Sequence, residues 1–204
     1  MKIICIGRNY GEHAKELKND VPTEPIFFCK PDSAILPKGN PFFIPEWSHD
    51  IHYEVELIYR IEKLGKNIDK KYASRYYSTL GLGIDFTARD IQSELKAKGL
   101  PWEKAKGFDG SAVVSEEFLS LDSFEDANAI SFSLYKNGNL VQSGNSGDMI
   151  FSIDHIIEYV SKFMMLKIGD LIYTGTPSGV GPIAVGDELE GRIGDKVMFK
   201  TRIR

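Results

Sequence analysis

The run IHYEVELIYRI, Ile51 to Ile61, sets the strongest constraint on how this chain folds. Ile51, Tyr53, Val55, Leu57, Tyr59 and Ile61 share one parity; His52, Glu54, Glu56, Ile58 and Arg60 share the other. Successive side chains leave a strand on opposite faces, so the alternation predicts a half-buried strand with its second face in water. That face carries two carboxylates about 7 Å apart. Such a pair is either a solvated surface or part of a site that holds something positive.

Further strand signals follow. AISFSLYKNGNLVQSG reads as a hairpin around an Asn137-Gly138 turn, and DLIYTGTP, DELEGRIGD and KVMFKTRI are strand-like with glycine punctuation. TARDIQSELKAKGLP predicts a helix with Thr87 and Asp90 in capping-box spacing, stopped by Gly99 and Pro101. SIDHIIEYVSKFMM predicts another, opening at Ser152 and burying Ile153, Ile156, Ile157, Val160, Phe163 and Met164. A short helix fits NYGEHAKEL, where Asn9 and Glu12 have capping spacing. MKIICIG reads as a first strand, but residues 1–45 hold six of the nine prolines and are expected to be irregular, lying over the body of the fold. Strands come in runs without strict alternation with helices. The expectation is a mixed α+β, β-rich fold, a folded sheet with a few outer helices, in one domain over 1–204.

Composition excludes some functions. The net charge is −4 and the 25 basic residues are scattered, whereas a nucleic-acid face needs them concentrated. No apolar run approaches the ~18 residues of a membrane helix. Cys5 and Cys29 have no metal or redox spacing and read as buried free thiols, so a cytoplasmic protein is expected.

Asp85 ends the apolar run TLGLGID, where an acid needs a partner or a cation. With Glu54 and Glu56 it would make an oxygen-only set suited to a hard ion: Mg²⁺ first, then Mn²⁺ or Ca²⁺. His13 and Glu16 stand at i and i+3, so Glu16 could orient one imidazole nitrogen and leave the other as a base. Arg89 and Gln92 share a helix face just beyond Asp85. YTGTPSGVG lacks the Gly-Lys-Ser/Thr of a P-loop, but its backbone N–H groups and the Thr176 hydroxyl could receive a carboxylate. Read singly, the dyad and the Arg89–Gln92 pair are ordinary solvated helix faces, and Lys106 reads as a surface lysine.

Together, GRNYGEHAKE, YEVEL, GIDFTARDIQ, KGLPWEKAKGFDGS, MIFSIDHIIEYVSKF and LIYTGTPSGVGP occur in an order and spacing that resembles the fumarylacetoacetate hydrolase (FAH) family, in particular its short acylpyruvate hydrolases and oxaloacetate-acting members. The resemblance implies an FAH-type folded sheet, a homodimer, and Mg²⁺ or Mn²⁺ on Glu54, Glu56 and Asp85. It further implies a lid pair His13–Glu16, an active-site Lys106, and substrate contacts at Arg89, Gln92 and Thr176. Lys30 and Ser33, in FFCKPDSAI, match no motif that assigns them a role. The implied activity is metal-dependent hydrolysis of C–C bonds in acylpyruvate-type 2,4-dioxo acids, releasing pyruvate. The same site would also suit oxaloacetate decarboxylation or tautomerisation, isomerisation of 2-hydroxyhepta-2,4-diene-1,7-dioate, or non-catalytic binding of a dicarboxylate.

Overall fold

The computed structural model describes residues 1–16 and 21–204, without the side chains of residues 13–15. In chain order the strands are β1 (Ile3–Gly7), β2 (Ile26–Lys30), β3 (Ile51–Tyr53), β4 (Val55–Arg60), β5 (Thr79–Asp85), β6 (Thr87–Ala88), β7 (Ala112–Val114), β8 (Leu119–Ser120), β9 (Ser131–Lys136), β10 (Asn139–Asn145), β11 (Leu171–Tyr173), β12 (Gly181–Pro182), β13 (Glu188–Ile193) and β14 (Lys196–Arg202). The helices are α1 (Gly11–Glu16), α2 (Arg89–Ala97), α3 (Glu103–Lys106) and α4 (Ile153–Phe163).

The largest sheet runs β2-β1-β11-β4-β5-β7, with β8 also on β5; β10-β9-β13-β14 form a second sheet and β12-β3-β6 a third. Within the largest sheet β1 and β11 pair in parallel, and the other named pairs are antiparallel. Leu57 and Leu82 of this sheet share a core with Leu134, Leu189 and Phe199 of the second. Gly191 on β13 makes the approach possible, because a Cβ there would lie 2.2 Å from the Phe199 ring and 2.9 Å from Leu82. On the opposite side Ile3, Cys5, Ile58 and Tyr173 pack with Ala34 and Ala112. Each such buried aliphatic side chain contributes roughly 1.5–3 kcal/mol.

The run 51–61 therefore departs from a half-wet strand. It breaks at Glu54 into β3 and β4, and both faces of β4 are buried because the second sheet covers one and residues around Ala34 cover the other. Residues 1–45 are also less irregular than their prolines suggest: β1 lies within the main sheet and β2 pairs along its whole length. The turn at Asp32–Ala34 does lie over that sheet.

The hairpin forms as expected. Asn137 and Gly138 have φ of 53° and 80°, the left-handed pair of a tight β-turn, and the register shifts between Leu140 and Gln142. Helix α4 opens at Ser152, whose side chain accepts from the His155 N–H. Phe163, expected in its apolar stripe, is instead exposed and rests against the Phe27 and Tyr159 rings. Two expected caps are spent elsewhere. Asn9 Nδ2 donates to Phe151 O and Thr174 O while its Oδ1 accepts from Phe151 N, so Asn9 ties β1 to the core. Thr87 lies in β6 and its hydroxyl receives Lys106; the residue before α2 is Ala88, which supplies no side-chain cap. Cys5 is buried and Cys29 half-buried, both free. No described helix is long and apolar enough to cross a membrane.

Candidate active site

Three strand ends meet in one pocket. Glu54 sits at the break between β3 and β4, Glu56 one turn of the pleat further along β4, and Asp85 at the end of the adjacent β5. These residues are 5%, 2% and 1% exposed, and one carboxylate oxygen from each lies within 4.8 Å of the others. Three cations are threaded among them. Lys106, from α3, donates to Glu54 Oε2 at 2.8 Å, Asp85 Oδ2 at 2.7 Å and Thr87 Oγ1 at 2.5 Å. Arg89, at the start of α2, reaches Glu54 Oε1 at 2.5 Å and Gln92 Oε1 at 2.7 Å. Lys30, the last residue of β2, lies 2.7 Å from Asp85 Oδ1 and donates to Ser111 Oγ and the Lys106 carbonyl.

The electrostatics follow from burial. Loss of water works against the Lys106 ammonium, but Asp85 and Glu54 outweigh it and push its pKa up to about 12. Asp85 and Glu54 thus favour Lys106 as an ammonium and hydrogen-bond donor. Glu56 has the opposite problem. Burial first, then Asp85 and Glu54, drive its carboxyl well above the usual carboxylate range, against the pull of Lys106 and the Gly175 N–H. That N–H reaches Glu56 Oε2 at 2.7 Å. Gly175 can aim it there because its φ is +96° and a Cβ would fall 2.8 Å from that of Asn9.

These residues fit a divalent ion. Among the described residues Asp85 Oδ1 is buried without a hydrogen bond, since the Lys30 ammonium beside it lies off the hydrogen-bond direction. Glu56 is strained toward protonation by its neighbours, a cost that a cation between the three acids relieves. All-oxygen donors suit a hard ion.

The rest of the pocket comes from loops and helix faces. Phe28 and Trp102, ring centroids 5.8 Å apart, form an apolar wall, and Lys106 Nζ is 5.2 Å from the Phe28 centroid. Thr176 lines the other side. Gln142, from β10 of the second sheet, accepts from Val55 N at 2.9 Å and donates to Thr176 Oγ1 at 2.8 Å and Pro177 O at 3.0 Å. Val55 N only donates and Pro177 O only accepts, which fixes the orientation of the amide. Because Gln142 donates to the Thr176 hydroxyl, that contact leaves the hydroxyl proton available for donation.

The structure thus gathers Glu54, Glu56, Asp85, Arg89, Gln92, Lys106 and Thr176 in one place. Glu16 lies apart on α1, where its carboxylate accepts from Gly179 N at 3.1 Å, and so rests on the loop that carries Thr176. The His13 side chain lies outside the described residues. Ser33 is exposed. Lys30 and Gln142 were not assigned from sequence. For Lys30 a signal existed: on a strand it shares parity with Phe28, which lines the pocket.

The family profile of the fumarylacetoacetate (FAA) hydrolase C-terminal domain matches residues 2–204. The chain belongs to the fumarylacetoacetate hydrolase family. Among its family relatives is a mitochondrial oxaloacetate tautomerase of Mus musculus, 44% identical over 99% of this chain and 91% of that protein. A mitochondrial oxaloacetate decarboxylase of Dictyostelium discoideum is 47% identical over 93% of this chain and 87% of that protein. A family structure, fumarylpyruvate hydrolase from Pseudomonas aeruginosa in complex with Mn²⁺ and pyruvate, superposes with a TM-score of 0.92 at 32% identity, covering 100% of this chain and 89% of that one. The family fold is the strand-rich, curled sheet described above, and a family member that holds Mn²⁺ agrees with the acidic triad.

Proposed function

We propose that this chain acts on oxaloacetate, chiefly as a keto–enol tautomerase. The observation that carries this reading is the charge of the site. Glu54, Glu56 and Asp85 are balanced one for one by Lys30, Arg89 and Lys106. A divalent ion leaves these six groups with two positive charges, Arg8 and Lys96 add cations to the same pocket, and oxaloacetate brings two carboxylates. An acylpyruvate with an uncharged tail neutralises only one. The relatives named for oxaloacetate, which match nearly the whole chain, support the same choice over the acylpyruvate hydrolysis expected from sequence.

Mg²⁺ or Mn²⁺ held by Glu54, Glu56 and Asp85 would supply Lewis-acid withdrawal of charge from the 2-oxo acid end. Arg89 offers its fork, and Gln92 and Thr176 offer donors, to the adjoining carboxylate. Tautomerisation moves a proton from C3 to the C2 oxygen. Lys106 faces the negative charge that develops on that oxygen, and a donor so placed is worth about 3 kcal/mol. His13, oriented by Glu16, is the proposed group that takes and returns the C3 proton. The Phe28–Trp102 wall keeps water from the enolate.

Decarboxylation is the second reading, favoured by the Dictyostelium relative. It sends the C3–C4 bond electrons into the same C2 carbonyl and needs no different donors.

Following the enol absorbance of oxaloacetate with Mg²⁺ and with chelator, beside pyruvate release and a panel of acylpyruvates, tests this reading. Metal-dependent acceleration of enol–keto exchange is expected. Turnover of acylpyruvates with no effect on oxaloacetate would overturn it.

Thr176→Val and Gln142→Leu should each raise KM for oxaloacetate by about tenfold, the worth of one such hydrogen bond. If Gln142 works by holding Thr176 as a donor, the double variant should be no worse than the poorer single one. Multiplying effects would show independent roles.

A further inference from the structure

Asp50 and His52 form no wall of the pocket, yet they lie behind its Arg89. Strand β3 pairs with β6 so that Ile51 lies opposite Ala88 and His52 opposite Thr87. The next rung is closed by Arg89 N, which donates to Asp50 O at 2.7 Å. Residues opposite one another share a face, as do alternate residues of one strand, so Asp50, His52, Thr87 and Arg89 project to the same side. Arg89 starts at the Asp50 rung and its Nη2 ends on Glu54, so its side chain crosses the rung of His52 and Thr87. Two atoms are left over there. Nη1 and Nη2 of Arg89 reach Gln92 and Glu54, but Nε is buried with no hydrogen-bond partner among the described residues. His52 holds Asp50 Oδ1 at 2.9 Å through Nε2, while its Nδ1 is likewise buried and without a partner among them. A carboxylate accepts only, so Nε2 carries the proton and Nδ1 offers a lone pair. One leftover donor and one leftover acceptor thus lie on neighbouring rungs, each costly to leave unmade. Substrate is the partner of neither, because neither atom is exposed to the pocket. Burial first, then Arg89, lower the His52 pKa, as a cation beside the ring would.

We propose that Asp50 and His52 are a positioning pair for Arg89, with His52 Nδ1 accepting from Arg89 Nε and so setting the plane of the guanidinium that receives the 2-oxo acid carboxylate. Asp50 fixes the tautomer of the ring, and the ring fixes Nε. A guanidinium has five N–H groups. With one on His52, one on Gln92 and one on Glu54, each terminal nitrogen keeps one for the substrate. Glu54 is a poor anchor by itself, because the same carboxylate accepts from Lys106 and belongs to the acidic set that would hold the ion. His52 Nδ1 has no such second claim. A turn of the fork closes its bond to Nε once a cation draws on the Glu54 oxygens. That Arg89 receives a carboxylate rests on the oxaloacetate reading above, but the pair can be tested without turnover.

Asparagine carries its amide oxygen at the position of Nδ1, and glutamine carries its amide at that of Nε2. His52→Asn therefore keeps the acceptor and gives up Asp50, whereas His52→Gln keeps Asp50 and gives up the acceptor. Oxalate, which mimics the enolate of a 2-oxo acid, is titrated calorimetrically into the Mg²⁺-loaded protein. His52→Gln should bind it about tenfold more weakly, the worth of one hydrogen bond, with Mg²⁺ affinity unchanged. His52→Asn should bind close to wild type. In an Arg89→Met background, itself weaker for oxalate, His52→Gln should cost nothing more, because the ring acts only through the fork. On oxaloacetate His52→Gln should raise KM and leave kcat nearly unchanged, since a carboxylate is held alike in the ground and transition states. No loss in His52→Gln, equal losses in both variants, or a glutamine loss that persists without Arg89 overturns the proposal. So does an Arg89→Met protein that binds oxalate as tightly as wild type. A wild type that leaves oxaloacetate unchanged, with the oxalate affinities as expected, would instead sink the tautomerase reading and keep this one.

Discussion

Lys106→Met is expected to be the most damaging single substitution in this protein. The ammonium it removes is shared by Glu54, Asp85 and Thr87, and the side chain is almost wholly buried. Methionine fills the volume but leaves two carboxylates facing each other in a dry site. Breaking a buried ion pair from one side costs about 3–5 kcal/mol. Chemical denaturation of the metal-free variant should show a loss of that size, partly recovered by adding Mg²⁺. Turnover should fall about 10²–10³-fold even with saturating metal, as for the loss of one donor to a developing oxyanion. Lys106→Arg should not rescue the rate, because a planar guanidinium cannot reach three acceptors disposed around a single nitrogen. Full activity in Lys106→Met would remove this residue from the chemistry.

Glu56→Gln should separate stability from function. In the folded protein the Glu56 carboxyl is raised above its unfolded value of 4.5. The stability linked to it is present below pH 4.5 and lost as pH rises through the folded pKa, since the unfolded chain ionises first. Glutamine can still accept from Gly175 N but never ionises. The metal-free variant should therefore unfold at higher denaturant than wild type at pH 8. At acid pH the two should converge. Metal binding should run the other way: affinity for Mg²⁺ should drop at least about 100-fold. In the wild type, affinity should climb by up to about tenfold per pH unit while Glu56 gives up its proton, a slope the variant should lack. Calorimetry in buffers of different ionisation enthalpy reads that proton directly. A variant less stable than wild type at pH 8 would show that the carboxylate is well accommodated as an anion.

The site was legible where chemistry and local pattern agreed. Glu54 and Glu56 share a parity, and Asp85 is an acid closing an apolar strand; each feature survives the break of the expected strand at Glu54, because two residues along a strand keep the same face. The hairpin was legible because Asn137-Gly138 permits little else. What failed was everything decided by a distant partner. Thr87 has capping spacing, but Lys106 takes its hydroxyl. Asn9 has capping spacing, but Phe151, 142 positions away, takes its amide. The expected wet face of β4 is dry because residues around Ala34 lie over it. Lys30 looked like any lysine after an apolar run, since nothing local says that Asp85 will be beside it. Gln142 was hidden more deeply: the register shift beside it changes which residues of β10 face inward, so parity counting along NLVQSGN misplaces it.

The parallel pairing of β1 with β11 carries a consequence for biosynthesis. Ile3 sits beside Leu171, and Lys2 N donates to Asp170 across 168 positions of chain. At 5–20 residues per second a ribosome needs roughly 10–30 s to deliver the second strand after the first. Until then β1 has only β2 as a neighbour, and the Gly175 N–H that supports Glu56 does not yet exist. The three carboxylates of the pocket are made by residue 85, but the strand that joins β1 to β4 is not, so the main sheet stays divided until β11 arrives. A nascent chain arrested before residue 171 should display an open strand edge and bind holding chaperones, whatever the magnesium concentration around it.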